Sequence, residues 1–331
     1  MSDAERRIEA TELRRNFGER VAVDGLSLRV LSGEIYGLVG PDGAGKTTTL
    51  RMLAGLLDPS GGQVRLLDQD PFARGGTLRE SLGYMPQQYS LYGDLTVAEN
   101  LAFFREMYCL PRDAFRRRRD RLLAITRLEP FRDRRADALS GGMYKKLALS
   151  CSLLHEPKVL LLDEPTNGVD PVSRREFWDL LHEFLEEGMA IVLATPYMDE
   201  AARCHRAGLL YEGRLLEEGS PGEMLRTFTH PVFRVFGERP TIEGVIENDA
   251  GVLAFTPAGA ELRIVVRAGS EEAIVRRLRE AGARTSPATP AFEDLFLARV
   301  REKGGRYVST FDHAAFGGRA VGSSPGAWRK P

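Results

Sequence analysis

Gly40-Pro41-Asp42-Gly43-Ala44-Gly45-Lys46-Thr47-Thr48 is the stretch that most restricts what this chain can fold into. It fits G-x-x-x-x-G-K-[ST], a glycine-rich turn whose backbone N–H groups converge on phosphate oxygens, with a lysine for the β/γ-phosphates and a hydroxyl for Mg²⁺. Lys46 and Thr47 fill those two positions. The preceding Glu34 to Val39 predicts a buried strand, and Thr48 to Ala54 predicts a helix whose N-terminus faces the anion. A chance glycine cluster lacks that strand, loop and helix order.

Other elements arrange themselves around this unit. Ile8 to about Ser32 predicts antiparallel strands turning at Asp24-Gly25, and Gln63 to Leu67 and Ser81 to Pro86 predict two further strands. Helical patterns follow at Ala98 to Met107, Pro111 to Arg127 and Gly141 to Leu154. Val159 to Leu162 and Met189 to Ala194 are continuous apolar runs, as expected of parallel strands covered on both faces. Between them Asp170-Pro171 is a cap and first-turn pair, and Gly188 closes the helix. A hairpin at Glu212-Gly213 completes this part. The expected organisation is a domain over 1–228 with a helical insert at about 88–156, and a small α+β domain over 229–303. In the latter, strands are expected near Phe233, Val245, Val252 and Leu262 to Val266, and helices at Glu271 to Ala281 and Ala291 to Arg301. A mobile tail is expected over 304–331.

Hydrolysis of a γ-phosphate needs a cradle, a metal site, a positioned water and charge stabilisation. Asp163 ends an apolar strand where it can serve Mg²⁺, and Glu164 beside it can act as general base on the attacking water. Gln87, just after the Leu82 to Met85 strand, offers an amide to the metal or the water.

Leu139-Ser140-Gly141-Gly142-Met143 and Asn167-Gly168-Val169-Asp170, in this order with the loop at Gly40 and the Asp163-Glu164 pair, resemble the motifs of ATP-binding cassette (ABC) transporter ATPases over residues 8–227. The resemblance implies an α/β P-loop NTPase cassette with a parallel core sheet, an antiparallel β layer and a helical subdomain. It implies that Phe17 stacks on adenine, a core phenylalanine being the other reading. Ser140, Gly141 and Gly142 would meet the γ-phosphate of ATP held by a second cassette, with Asp170 on the loop crossing that interface, so that two ATPs close a two-fold dimer. The partner cassette would be an identical copy or a paralogue. Ser90 to Asn100 and Phe292 to Leu297 resemble ATPases of ABC-2-type exporters, whose integral membrane permease would dock around Gln87 to Asp94. Pro196 stands where most members carry a γ-phosphate-contacting histidine, and His205 is expected further along the following helix, out of reach. The alternatives are a low-turnover regulatory subunit and a soluble non-transport ABC ATPase.

Composition excludes several classes. Forty-six basic against 47 acidic residues leave a formal charge of -1, which gives no field for nucleic acid. The run Arg116 to Arg119 reads as a solvated helix face, with lipid headgroups as the alternative. Cys109, Cys151 and Cys204 have neither disulfide nor zinc spacing. No stretch approaches a membrane span. A cytoplasmic protein, peripheral on the membrane through its permease, is expected.

Overall fold

The computed structural model describes residues 5–73, 77–88, 91–247 and 249–305. The chain divides into two units at Thr227/Phe228. The first begins with a long hairpin, β1 (Arg6–Phe17) and β2 (Arg20–Leu31), in which Ile8, Ala10 and, past a register shift, Leu13 are buried. Its turn lies at Gly18-Glu19, not at Asp24-Gly25. Gly25, with φ +69°, sits inside β2 where the pairing of Leu13 and Arg14 shifts register. An Asp-Gly pair supplies the left-handed conformation of a bulge as readily as that of a turn, and here it bends a strand that continues.

From the hairpin the chain enters β3 (Ile35–Val39), the glycine loop, α1 (Lys46–Leu53), β4 (Gly61–Leu66) and β5 (Leu82–Met85). Three helices follow, α2 (Val97–Met107), α3 (Arg112–Ile125) and α4 (Gly141–Leu153). Thr96 and Glu99 close a reciprocal capping box on α2, which fixes where it begins. The chain then returns through β6 (Val159–Asp163), α5 (Pro171–Glu186), β7 (Ala190–Thr195), the single turn α6 (Met198–Ala201), β8 (Arg206–Tyr211), β9 (Arg214–Gly219) and α7 (Pro221–Thr227).

Two sheets result. The order β2-β1-β4 makes an antiparallel layer, and β5-β6-β7-β3-β8-β9 makes the central sheet, parallel from β5 to β8 with β9 antiparallel at its edge. β3, β6 and β7 are buried at every residue, which is why they read as unbroken apolar runs. Phe177, Trp178, Leu181 and Phe184 of α5 join α4 in the core on one face of this sheet. On the other, Leu50, Met52 and Leu53 of α1 pack with the antiparallel layer. Thus β3, β6 and β7 lie side by side, and the loops at their C-terminal ends share one edge.

The second unit runs β10 (Val232–Phe236), α8 (Arg239–Ile246), β11 (Val252–Ala258), β12 (Glu261–Val266), α9 (Glu271–Glu280), β13 (Arg284–Ala288) and α10 (Phe292–Glu302). Its antiparallel sheet has the order β11-β12-β10-β13, a ferredoxin-like βαββαβ arrangement with one helix appended. Val245, expected in a strand, lies in α8, because Ile242 and Ile246 are spaced to bury one helix face. Phe292 to Leu297 is structural here. Asp294, 2% exposed, accepts the Nε of Arg263 at 2.7 Å and the backbone N–H of Ala291, pinning the start of α10 to β12. The tail from residue 306 and Tyr89-Ser90 lie outside the described residues.

Candidate functional site

The glycine loop obeys its steric requirements in detail. A Cβ at Gly40 would collide with the carbonyl oxygen of Leu210, and one at Gly45 would come within 2.5 Å of that of Ala22. Gly43 and Gly45 have φ of +79° and +107°, open to glycine at little cost. The Gly40 N–H donates to Thr195 O at 3.2 Å, and Ala44 O accepts from Gly213, so both β7 and the β8–β9 turn hold the loop. α1 starts at Lys46 with no side-chain cap. Its orphan N–H groups and positive dipole end are therefore left for an anion. Thr48 is half-buried in the first turn of α1, and Asp42 and Pro41 form the outer lip of the loop.

Lys46, 3% exposed, donates to Gly40 O at 2.8 Å and Pro41 O at 3.0 Å, and its Nζ lies 3.3 Å from Glu164 Oε1. Asp42 Oδ1 is 3.9 Å from the same nitrogen. Thr47 Oγ1 donates to Asp163 Oδ1 at 3.0 Å. Burial raises the Asp163 carboxyl above its ordinary range, and the Thr47 hydroxyl offsets part of that. A hydroxyl and a carboxylate oxygen at one point, beside a phosphate cradle, are a donor set that fits Mg²⁺.

Glu164 is 5% exposed and has φ +47°, a left-handed conformation that costs a non-glycine residue of order 1–3 kcal/mol. Its N–H bonds Ala194 O at 2.9 Å, which fixes the strained turn against β7. Three side chains grip the carboxylate. Besides Lys46 on Oε1, Gln87 Nε2 donates to Oε2 at 2.7 Å and Asn167 Nδ2 donates to the same oxygen at 3.2 Å. The sequence pattern singles out Gln87 but not the role of Asn167. Nor does it reveal Lys145, on α4, whose Nζ donates to Gln87 O at 3.0 Å and whose ammonium burial disfavours. The only local signal for Asn167 is its position three residues past Glu164, across a turn closed by Asn167 N–H to Glu164 O.

Lys46, Thr47, Asp163, Glu164 and Gln87 thus converge. Other expected site residues do not join them within this chain. Ser140 caps α4 by accepting the Met143 N–H at 3.3 Å, and Gly141 and Gly142 abut Gly168 and Ser173. Asp170 Oδ1 caps α5 through the N–H groups of Val172 and Ser173 at 3.1 and 3.0 Å, and the Ser173 bonds hold its carboxyl below the usual range. Ser140, Gly141 and the Gly168–Asp170 loop therefore form one exposed corner apart from the cradle. Phe17, at the end of β1, is 47% exposed with the Arg15 guanidinium 4.7 Å over its ring, so it is not a core residue.

Pro196 directly follows β7, beside the glycine loop that Thr195 holds. His205 is not on a helix, because α6 is a single turn. Its Nδ1 accepts the N–H of Ile35, at the start of β3 and the far end of the sheet from the cradle. Five strand residues at about 3.3 Å each separate the two ends. Basic residues on α3 are partly engaged: Arg118 pairs with Glu156, Arg119 with Asp120 and Arg121 with Glu187. All three cysteines are free thiols. Among the described residues no helix is long and apolar enough to cross a membrane.

Residues 23–167 match the family model described as ABC transporter. The chain is 40% identical over 308 residues to the probable multidrug ABC transporter ATP-binding protein YbhF of Escherichia coli (strain K12), covering 90% of this chain and 52% of that one. It therefore spans about half the length of that relative. It is 35% identical to the Nod factor export ATP-binding protein I of Rhizobium sp. (strain N33), over 88% of this chain and 95% of the other. Among solved structures, cbiO1 from Clostridium perfringens, part of the complex cbiONQ, superposes with a TM-score of 0.62 at 32% identity, covering 67% of this chain and 92% of that one. The dimeric bacterial cassette MJ0796 gives 0.59 at 25% identity, over 64% and 98%.

Proposed function

This chain belongs to the ABC transporter ATP-binding proteins, and on that premise we propose that it binds and hydrolyses ATP to drive an ABC-2-type membrane exporter. The observation that carries the reading is the grip of Lys46, Gln87 and Asn167 on Glu164, beside the Thr47–Asp163 pair. The loop N–H groups and Lys46 bind the β- and γ-phosphates, and the face of Phe17 takes the adenine. Mg²⁺, held by Thr47 and Asp163 with Gln87 nearby, would neutralise charge on the phosphates. Phosphate oxygens draw Lys46 away from Glu164, and the released carboxylate takes a proton from the attacking water as Gln87 and Asn167 keep it in place.

The separate corner of Ser140, Gly141 and Asp170 explains why one chain does not complete the site. A second cassette, a copy or a paralogue, supplies that corner to the cradle of the first, and the exchange is reciprocal under two-fold symmetry. The permease surface has its own support. Tyr92, Phe103 and Met107 are 49%, 38% and 52% exposed, and the Tyr92 and Phe103 rings meet edge-on at 4.6 Å. Asn100, fully buried, holds the segment beneath them through the N–H and C=O of Tyr92 and the carbonyls of Leu95 and Thr96. A fixed, exposed apolar patch suits a partner helix.

Glu164→Gln tests the reading. It should bind MgATP, lose phosphate release by at least two orders of magnitude and elute as a dimer, because the base is lost while the cradle survives. Unchanged turnover would remove Glu164 from the mechanism, and a monomer at saturating ATP would remove the shared site.

A further inference from the structure

We propose that Tyr197 is a positioning residue for the hydrolytic base, acting through Asn167. The inference rests on the reading of Glu164 given above. Tyr197 follows Pro196 at the end of β7, and its Oη donates to Asn167 Oδ1 at 3.3 Å. An amide whose oxygen is occupied has its nitrogen turned the other way. Here Asn167 Nδ2 is directed at Glu164 Oε2, at 3.2 Å.

The phenol is itself held in place. The Arg174 guanidinium lies 4.3 Å over the Tyr197 ring, and Arg174 in turn faces Asp199 at 3.7 Å and the fully buried Glu200 at 3.8 Å. Glu200 accepts the hydroxyls of Thr166 and Thr195, each at 2.6 Å, tying the turn after β6 to the end of β7. The Tyr197 N–H donates to Thr195 Oγ1 at 3.0 Å. A braced ring from the β7 loop thereby reaches the turn that carries the base. Proline at 196 has no side-chain donor, and the neighbouring phenol supplies this loop with a hydrogen-bonding link to the carboxylate that residue 196 lacks. The link keeps Glu164 Oε2 with two donors instead of one.

Tyr197→Phe deletes only the hydroxyl. It should lower kcat about tenfold, the scale of the Asn167–Glu164 hydrogen bond that it holds in place, while leaving the KM for ATP within twofold. Asn167→Ala should cost the same or slightly more. If Tyr197 acts through Asn167, adding Tyr197→Phe to Asn167→Ala produces no further loss. The second readout does not depend on turnover. The chain contains four asparagines, so its ¹⁵N-asparagine labelling gives four side-chain amide pairs, and Asn167→Ala identifies that of Asn167. Tyr197→Phe should shift that pair and speed its solvent exchange, with those of Asn16 and Asn100 unmoved.

An unmoved Asn167 pair, wild-type kcat in Tyr197→Phe, or losses that multiply in the double variant would each overturn the proposal. Glu164→Gln separates this from failure of the underlying reading. If Glu164→Gln keeps wild-type turnover, the assignment of Glu164 fails. If it is inactive and Tyr197→Phe turns over normally, the role of Tyr197 fails.

Discussion

At the scale of single residues, the glycines of the Gly40 loop and of the Ser140–Gly142 motif are required for different reasons. Gly40 is confined by the Leu210 carbonyl behind the cradle, whereas Gly142 is confined by another helix, with Ser173 Cβ only 2.5 Å from where its own Cβ would stand. Gly142 is thus also a contact point between the starts of α4 and α5. Gly142→Ala should destabilise by about 1–3 kcal/mol, the cost of overpacking, and lower Tm by roughly 2–12 °C in a domain of this size. Ser173→Gly should restore most of that loss, as read by calorimetry of the double variant. Failure of rescue would place the strain elsewhere. Lys46, Thr47, Asp163 and Glu164 can be read in the sequence because their roles follow from position along a local strand-to-loop path. Lys145 and Tyr197 cannot, because their partners are distant in sequence: Lys145 meets Gln87 from 58 residues away, and Tyr197 meets Asn167 from 30. Asn167 lies only three residues from Glu164, but no residue pattern says which way its amide turns.

Among elements, legibility followed the strength of local punctuation. α5 starts at Pro171 behind an Asp170 cap and ends just before Gly188, because a cap, a first-turn proline and a left-handed glycine act without tertiary help. The β13 strand Arg284–Ala288 has no such signal, since it carries no fully buried residue and includes Pro287. It is an edge strand, where a missing N–H is tolerated. One link between elements has a pH signature. His155 follows α4, stacks on Tyr108 at 3.9 Å at the end of α2, and donates its Nε2 proton to Leu82 O of β5 at 3.1 Å. Burial, offset in part by the Leu82 bond, pushes its pKa down from 6.5 to about 4. The unfolded chain therefore binds a proton that the folded one refuses between those values. Its contribution is complete above pH 6.5 and is lost as pH falls towards 4, at about 1.4 kcal/mol per pKa unit. Urea unfolding at pH 7.0, 5.5 and 4.5 should show a steeper loss for the wild type than for His155→Gln. Equal slopes would mean that His155 titrates normally.

For the molecule as a whole, fold class was visible and strand order was not. Buried runs announce parallel strands, but β3 lying between β7 and β8 depends on which crossovers close, and no local pattern encodes that. The second unit presents the same problem on a smaller scale. Its four strands interleave as β11-β12-β10-β13, with both prolines of the sheet, Pro257 and Pro287, on edge strands. The unit has its own core: Val235, Leu262, Ile264 and Val266 of the sheet meet Ile242 and Ile246 of α8 and Ile274 and Leu278 of α9. The Arg263–Asp294 pair adds a fixed start to α10, with the carboxylate buried and the guanidinium partly exposed. A core of this size in fewer than about 80 residues supplies roughly 3–5 kcal/mol. A fragment of residues 228–305 should therefore fold alone, with a cooperative urea transition seen by circular dichroism and a stability of a few kcal/mol. Asp294→Ala should move that transition to lower urea, since the start of α10 loses its tie to β12 and the acceptor of the Ala291 N–H. A fragment that stays unfolded at 10 °C, or an Asp294→Ala fragment as stable as its parent, would show that this core and its ion pair do not hold the unit together.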